Sequence, residues 1–248
     1  MNWDNKSWDQ EDIKYSQKRN VQNKISWRMP HIIGSFYSYK INGIIEYESL
    51  GELLFYFLLE LDRQTIRYYV QPVKISIKQV DDAGRINNWI HVPDVLVFRN
   101  ESKPMLFQIK DSPDEVPQNA YIINRKCSSY SEENGWSYSV IYPKQMPKVV
   151  LTNLKLLSGF TRKRSYYKTL VPEIIYKINY MNNIRIIELA KSFSSQVNPL
   201  MVLPAIYHLI AIGVFKADIY LPIDENSIVS IADEIDYLNT YFIKEGVV

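Results

Sequence analysis

Residues 89 to 110 constrain this chain more than any other stretch. Trp89-Ile-His-Val-Pro93-Asp94-Val-Leu-Val-Phe and Pro104-Met-Leu-Phe-Gln108-Ile-Lys110 are apolar runs rich in β-branched and aromatic residues. Arg99 to Pro104 between them has the composition of a turn. The pattern predicts a β-hairpin on a buried sheet, with three polar residues at its open end: Asp94, Gln108 and Lys110. Side chains alternate along a strand, so Gln108 and Lys110 share one face while Met105, Phe107 and Ile109 take the other. Asp94 joins them if it pairs with Gln108 or Lys110, and faces away if it pairs with Ile109. Charges buried at strand ends need partners or a metal. Mg²⁺ held by Asp94 and the Gln108 carbonyl, with Lys110 beside an attacking water, would offset the cost. The plainer alternative is a strand-end Asp and Lys in solvent.

Composition excludes several classes. The 248 residues are 46% apolar and 23% charged, with 19 Tyr and a net charge of +2, so any case for nucleic acid must be local. Cys127 is the only cysteine, which rules out an internal disulfide and a Cys-based zinc site. His31, His91 and His208 lie far apart without ligand spacing. There is no apolar run of membrane-spanning length, and the first residues lack a signal-peptide core, so no membrane partner and a cytoplasmic location are expected.

Along the chain, residues 1–45 form a basic arm in which Lys14, Lys18, Arg19, Lys24 and Arg28 interleave with Trp3, Trp8, Tyr15 and Trp27. Such an arm suits DNA phosphates, with Lys24 and Arg28 as candidates, or lies on its own domain. Residues 46–145 read as one domain. Ser49-Leu-Gly-Glu52 opens an apolar helix over 53–61, and Glu52 is either the partner in a capping box or a carboxylate aimed at the hairpin's polar end. A strand over 68–77, a loop at 81–84, the hairpin, an acidic loop at 111–117, a helix over 119–133 closed by Gly135, and a strand over 136–142 follow. A mixed sheet flanked by helices is the natural packing. Residues 146–165, the aperiodic end of a stretch that opens at Pro143, read as a connection, ending in Arg162-Lys163-Arg164, further candidates for phosphate.

Residues 166–248 read as helix over 184–193, helix over 199–212 stopped by Gly213, and strands over 215–221 and 227–231: a winged-helix pattern. Its second helix carries no Arg, Lys, Asn or Gln and only His208 as a candidate cation, so it is a poor base reader. It suits core packing or a protein partner better.

The order Glu52, Pro93-Asp94, Gln108-Ile109-Lys110, then a helix and a Gly-Trp strand resembles the PD-(D/E)xK nuclease superfamily. Tyr47-Glu48-Ser49-Leu50-Gly51-Glu52, Gln71-Pro72-Val73, the Pro-Asp-Val-Leu-Val strand and Glu133-Asn134-Gly135-Trp136 are similar to the TnsA-type endonuclease subunit of heteromeric cut-and-paste transposases. Gln108 stands where the superfamily has Asp or Glu, and Gln-x-Lys is the TnsA form. The resemblance implies a restriction-endonuclease-like domain followed by a winged helix. It also implies Mg²⁺-dependent cleavage of the 5′, non-transferred strands at transposon ends, with Mn²⁺ able to substitute. Its implied partners are transposon-end DNA, a DDE-type transposase subunit and an AAA+ ATPase. Glu52 and Asp94 would bind metal, Gln108 would be a ligand or organiser, and Lys110 would polarise the phosphate or orient the water. A stand-alone nuclease of resolvase or restriction type, or an inactive module bridging ATPase and DNA, are the alternatives.

Overall fold

The computed structural model describes residues 3, 6–19, 33–80, 84, 86–113, 119–232, 237, 238 and 242. Lys24, Arg28 and Trp27 lie outside the described residues, as do most of the loop expected at 81–84 and of the acidic loop at 111–117. The chain divides into two compact units whose segments interleave: residues 1–35, 45–52 and 65–144 in the first, and 36–44, 53–64 and 145–248 in the second. No described helix is long and apolar enough to cross a membrane.

The chain opens with α1 (Asp9–Lys14), the hairpin strands β1 (Gly34–Ser38) and β2 (Gly43–Tyr47), and α2 (Leu50–Leu61). Strands β3 (Thr65–Val70), β4 (Ile75–Val80), β5 (Ile86–His91), β6 (Val95–Arg99) and β7 (Met105–Ile109) follow, then α3 (Ala120–Glu133) and β8 (Ser137–Ile141).

In the first unit the sheet order is β3-β6-β7-β8. β6 runs antiparallel to both β3 and β7, and β8 runs parallel to β7 after the crossover through α3. This is a mixed sheet flanked by helices. β6 and β7 are buried at every position, as their largely apolar runs lead one to expect, and the burial extends to the polar Arg99 and Gln108. Leu96 and Phe98 of β6, Leu106 of β7 and Tyr69 of β3 form one core with Tyr15 and Cys127, and Trp3, Trp8, Tyr130 and Trp136 pack against its edge. The described residues of the basic arm up to Arg19 belong to the first unit and pack on it: Trp3 and Trp8 meet Phe98 edge-on, and Trp3 Nε1 donates to Arg99 O at 2.8 Å.

Two sequence expectations are corrected here. The hairpin begins at Val95, not Trp89: Trp89 to His91 belong to β5, which pairs with β4 in a separate two-stranded ribbon. Pro93 supplies no N–H to continue a ladder, and the strand breaks there. The strand expected over 68–77 is two, because Gln71 adopts a left-handed φ of +49° and turns the chain between β3 and β4. Gly135 fulfils its expected role. At φ +70° it ends α3 with Gly135 N donating to Glu132 O and Trp136 N to Ser131 O, the paired bonds of a Schellman cap.

The second unit contains α4 (Lys148–Ser158), α5 (Tyr167–Met181), the short strand β9 (Ile184–Arg185), α6 (Ile186–Lys191), α7 (Pro199–Ala211), β10 (Phe215–Ala217) and β11 (Ile228–Ile231). β10, β11 and β9 make a three-stranded antiparallel sheet. α4 corrects the reading of 146–165 as aperiodic. Val150, Leu154 and Leu157 are a buried stripe at helical spacing that flanking Pro143, Pro147 and Gly159 disguise. α5 has no counterpart among the expected elements, and Pro172 within it is why the pattern is hard to see. α7 lies among α4, α5, α6 and β10 and buries Val202, Ala205, Ile206, Leu209, Ile210 and Ala211. Its apolar character is that of a core helix, and only Leu200 and Met201 of its large apolar side chains are exposed. His208 is buried too, with Nδ1 2.6 Å from Phe160 O, and burial holds its imidazole below the usual pKa, so it is no surface cation. Gly213 has φ +71°, and a Cβ there would come within 2.6 Å of Leu61 O, so a tight stop to α7 needs glycine.

Candidate active site

Strand pairing places the candidate residues. β6 and β7 pair Val95 with Phe107 and Leu96 with Leu106, which sets Asp94 opposite Gln108 at the open end. Both backbone edges of Asp94 are engaged: its N–H donates to Phe107 O (3.1 Å) and its carbonyl accepts from Gln71 N (2.7 Å). Asp94 thus closes the ladders on both sides of the central strand and has little backbone freedom. Lys110 continues β7 beside β8 through Lys110 N to Ile141 O at 2.9 Å.

α2 supplies the second acid. A Cβ at Gly51 would lie 3.3 Å from Ile109 Cγ2 and 3.5 Å from Asp111 Oδ1, so glycine lets the first turn of α2 press against the end of β7. Glu52 makes the capping bonds as well. Glu52 N donates to Ser49 Oγ (3.1 Å) and Glu52 Oε2 accepts from Glu48 N (2.8 Å), one residue earlier than the usual reciprocal bond. The two readings of Glu52 are compatible, since a carboxylate has a second oxygen to offer.

Asp94, Glu52 and Gln108 are all buried. Gln108 Nε2 donates to Asp94 Oδ2, and Ile109 N donates to the same oxygen at 2.6 Å. Gln108 Oε1 is 2.7 Å from His91 Nε2. In this arrangement Gln108 organises Asp94, and a ligand role would require its carbonyl to leave His91. Burial raises the Glu52 carboxyl well above the usual carboxylate range, and the Asp94 charge raises it further. Burial likewise raises Asp94, against the opposing effect of the Ile109 N–H and the Lys110 and Arg19 charges. The pair is short of positive charge.

That shortage fits a divalent cation, and hard oxygen donors without thiolates fit Mg²⁺ or Mn²⁺. Among the described residues no group of three or more His, Cys, Asp or Glu side chains is arranged to hold a metal. Two carboxylates leave the remaining positions to water and substrate oxygens.

Sequence reasoning missed the next ring of residues. His91 looked isolated, yet Ile75 pairs with it across the ribbon and its ring reaches Gln108. Arg19 pairs with Glu48, and its charge reaches both acids. Gln71 carries the Asp94 carbonyl. In the sequence Gln71 stands out only within the Gln71-Pro72-Val73 resemblance, which gives it no role in the site, and a polar residue before Pro72 in an apolar run is its one local signal. Elsewhere, Arg162, Lys163 and Arg164 are exposed in the second unit and line a concave patch with Gly159 and Ser165. No protein-family model matches the chain, and no curated protein does either.

Proposed function

We propose that this chain is a metal-dependent DNA endonuclease, the strand-cleaving subunit of a heteromeric transposase. The observation that carries the proposal is the convergence of Glu52, Asp94, Gln108 and Lys110 at the ends of the inner strands of a mixed sheet, with two buried acids whose raised carboxyls the nearby Lys110 and Arg19 charges offset only in part. Asp94 and Glu52 would hold the Mg²⁺, which supplies charge stabilisation for phosphodiester hydrolysis. Gln108 keeps one Asp94 oxygen occupied and so presents the other. His91 keeps the Gln108 amide from turning. Lys110, half-buried at the end of β7, offers a compact charge to a non-bridging phosphate oxygen or to the water that attacks phosphorus. The helices α5, α6 and α7 with the sheet β10-β11-β9 support a winged helix. Its buried α7 lacks side chains for base readout, so recognition of the ends falls to partners, a DDE-type transposase subunit and an AAA+ ATPase.

The test is nicking of plasmid DNA carrying candidate transposon ends, in Mg²⁺ or Mn²⁺, with and without the transposase subunit. Wild type should nick, and Lys110→Ala should lose at least about 100-fold, as expected when a positioned charge is removed from a transition state. Raising the metal concentration should not rescue Lys110→Ala. A fully active Lys110→Ala protein would remove lysine from the site. Cleavage unaffected by the transposase subunit would point to a stand-alone nuclease.

Glu52 separates capping from catalysis. Glu52→Gln keeps an oxygen for the Glu48 N–H, so at pH 5, where the folded-state Glu52 carboxyl is protonated, stability should move by less than about 1 kcal/mol in thermal melts. Nicking by the same variant should fall to background. Retained nicking would leave Glu52 as a cap alone.

A further inference from the structure

We propose that Arg19 is the residue that takes hold of the DNA phosphate at this site, exchanging Glu48 for a phosphate oxygen when DNA binds. The inference rests on the endonuclease reading and adds a residue to it. Arg19 is fastened to the site by a chain of bonds through Gln71. Lys18 N donates to Gln71 O at 2.9 Å, and Gln71 N donates to Asp94 O at 2.7 Å. With its amide turned so that both ends meet complementary atoms, Gln71 donates to Arg19 O at 2.7 Å and accepts from Arg19 Nη2 at 3.0 Å. The guanidinium also pairs with Glu48, whose own N–H is donated to Glu52. Arg19 is thus tied through one intermediary to each acid of the site.

A surface Arg–Glu pair contributes little to stability and needs no such support. Here a buried amide, on a backbone with φ +49°, sits between Gln17, whose Nε2 is 3.2 Å from it, and Arg19, which it contacts at both ends. Left-handed backbone at a non-glycine residue is unfavourable and tends to persist where the surroundings fix it for a purpose. The side chain itself is 46% exposed, so its fork is open to a ligand arriving from solvent. A guanidinium matches the oxygens of a phosphate bidentately, whereas Lys110 offers a point charge, so the two cations are complementary. Glu48 holds the Arg19 charge while no phosphate is present, and releasing an exposed ion pair costs little.

The experiment uses the full chain and a short fluorescent duplex, with Ca²⁺ in place of Mg²⁺, titrated by anisotropy at several salt concentrations. Arg19→Ala should weaken binding about tenfold and reduce the slope of log K against log salt by about one, the signature of a lost phosphate contact. Arg19→Lys should keep the slope and lose part of the affinity. Glu48→Gln, which removes the competing carboxylate, should tighten binding about threefold. Wild-type affinity and slope in Arg19→Ala, or no gain in Glu48→Gln, would overturn the proposal and leave Arg19 as a charge balance for Glu48. Normal Arg19 effects on binding, in a wild-type chain that never cleaves in Mg²⁺ or Mn²⁺ with its partners present, would sink the endonuclease reading and leave the phosphate contact standing. A wild-type chain that fails to bind duplex overturns both.

Discussion

Asp94→Asn should leave a folded protein that no longer cleaves DNA, with nicking reduced at least about 1,000-fold, more than 4 kcal/mol of transition-state stabilisation. The asparagine oxygen still accepts from Ile109 N, which now takes 2.6 Å to Asp94 Oδ2. The backbone bonds from Gln71 and to Phe107 do not involve the side chain. Only the charge is lost, and charge is what a divalent cation needs. Removing it also relieves Glu52, whose pKa the Asp94 charge raises. The melting temperature at pH 8 should therefore hold or rise while activity disappears. A variant that nicks at wild-type rate would show that Asp94 is a structural acid. A variant that merely unfolds would show that its charge holds the sheet end together.

The reach of the sequence is clearest at this same residue. Alternation in β7 put Gln108 and Lys110 on one face, and apolar runs marked both strands as buried, because the period of a strand is written directly in its side chains. Register is not written there. Pairing of Asp94 with Gln108 follows from how the ends of β6 and β7 meet, and the turn between them left more than one choice. The helix caps were legible for a local reason, as Ser49 and Glu52 are three residues apart and Gly135 needs only its own φ. Gln71, His91 and Arg19 were not, since each reaches the site through long-range bonds that no local pattern encodes. The apolar α7 shows the opposite limit. Composition left core and interface both open, and packing against α4, α5, α6 and β10 accounts for most of it.

Stability of the metal-free protein should fall as pH rises from the ordinary carboxylate range towards 8. Glu52 and Asp94 both have folded-state pKa values raised by burial, Glu52 to about 7. A raised group binds its proton more tightly in the folded state, so its contribution is fully present below the unfolded pKa and is lost as pH climbs through the folded one. For Glu52 the rise from 4.5 to about 7 corresponds to about 3 kcal/mol lost between acid pH and pH 8. His91 and His208 act in the other direction, because burial lowers their pKa values and charging them at low pH is unfavourable. Denaturant melts of wild type must therefore be compared with Glu52→Gln/Asp94→Asn, which keeps the histidines and removes the acids. The difference between the two profiles isolates the pair, and it should run downward with pH for wild type. Mg²⁺ binds only the deprotonated acids, so at 100 times its dissociation constant it should return about 2.7 kcal/mol at pH 8 and almost nothing at pH 5. The double variant should gain nothing from Mg²⁺ at either pH. Equal Mg²⁺ stabilisation of both proteins at pH 8 would mean that the cation binds elsewhere, and superimposable pH profiles would mean that the two carboxylates are not the strained pair their burial implies.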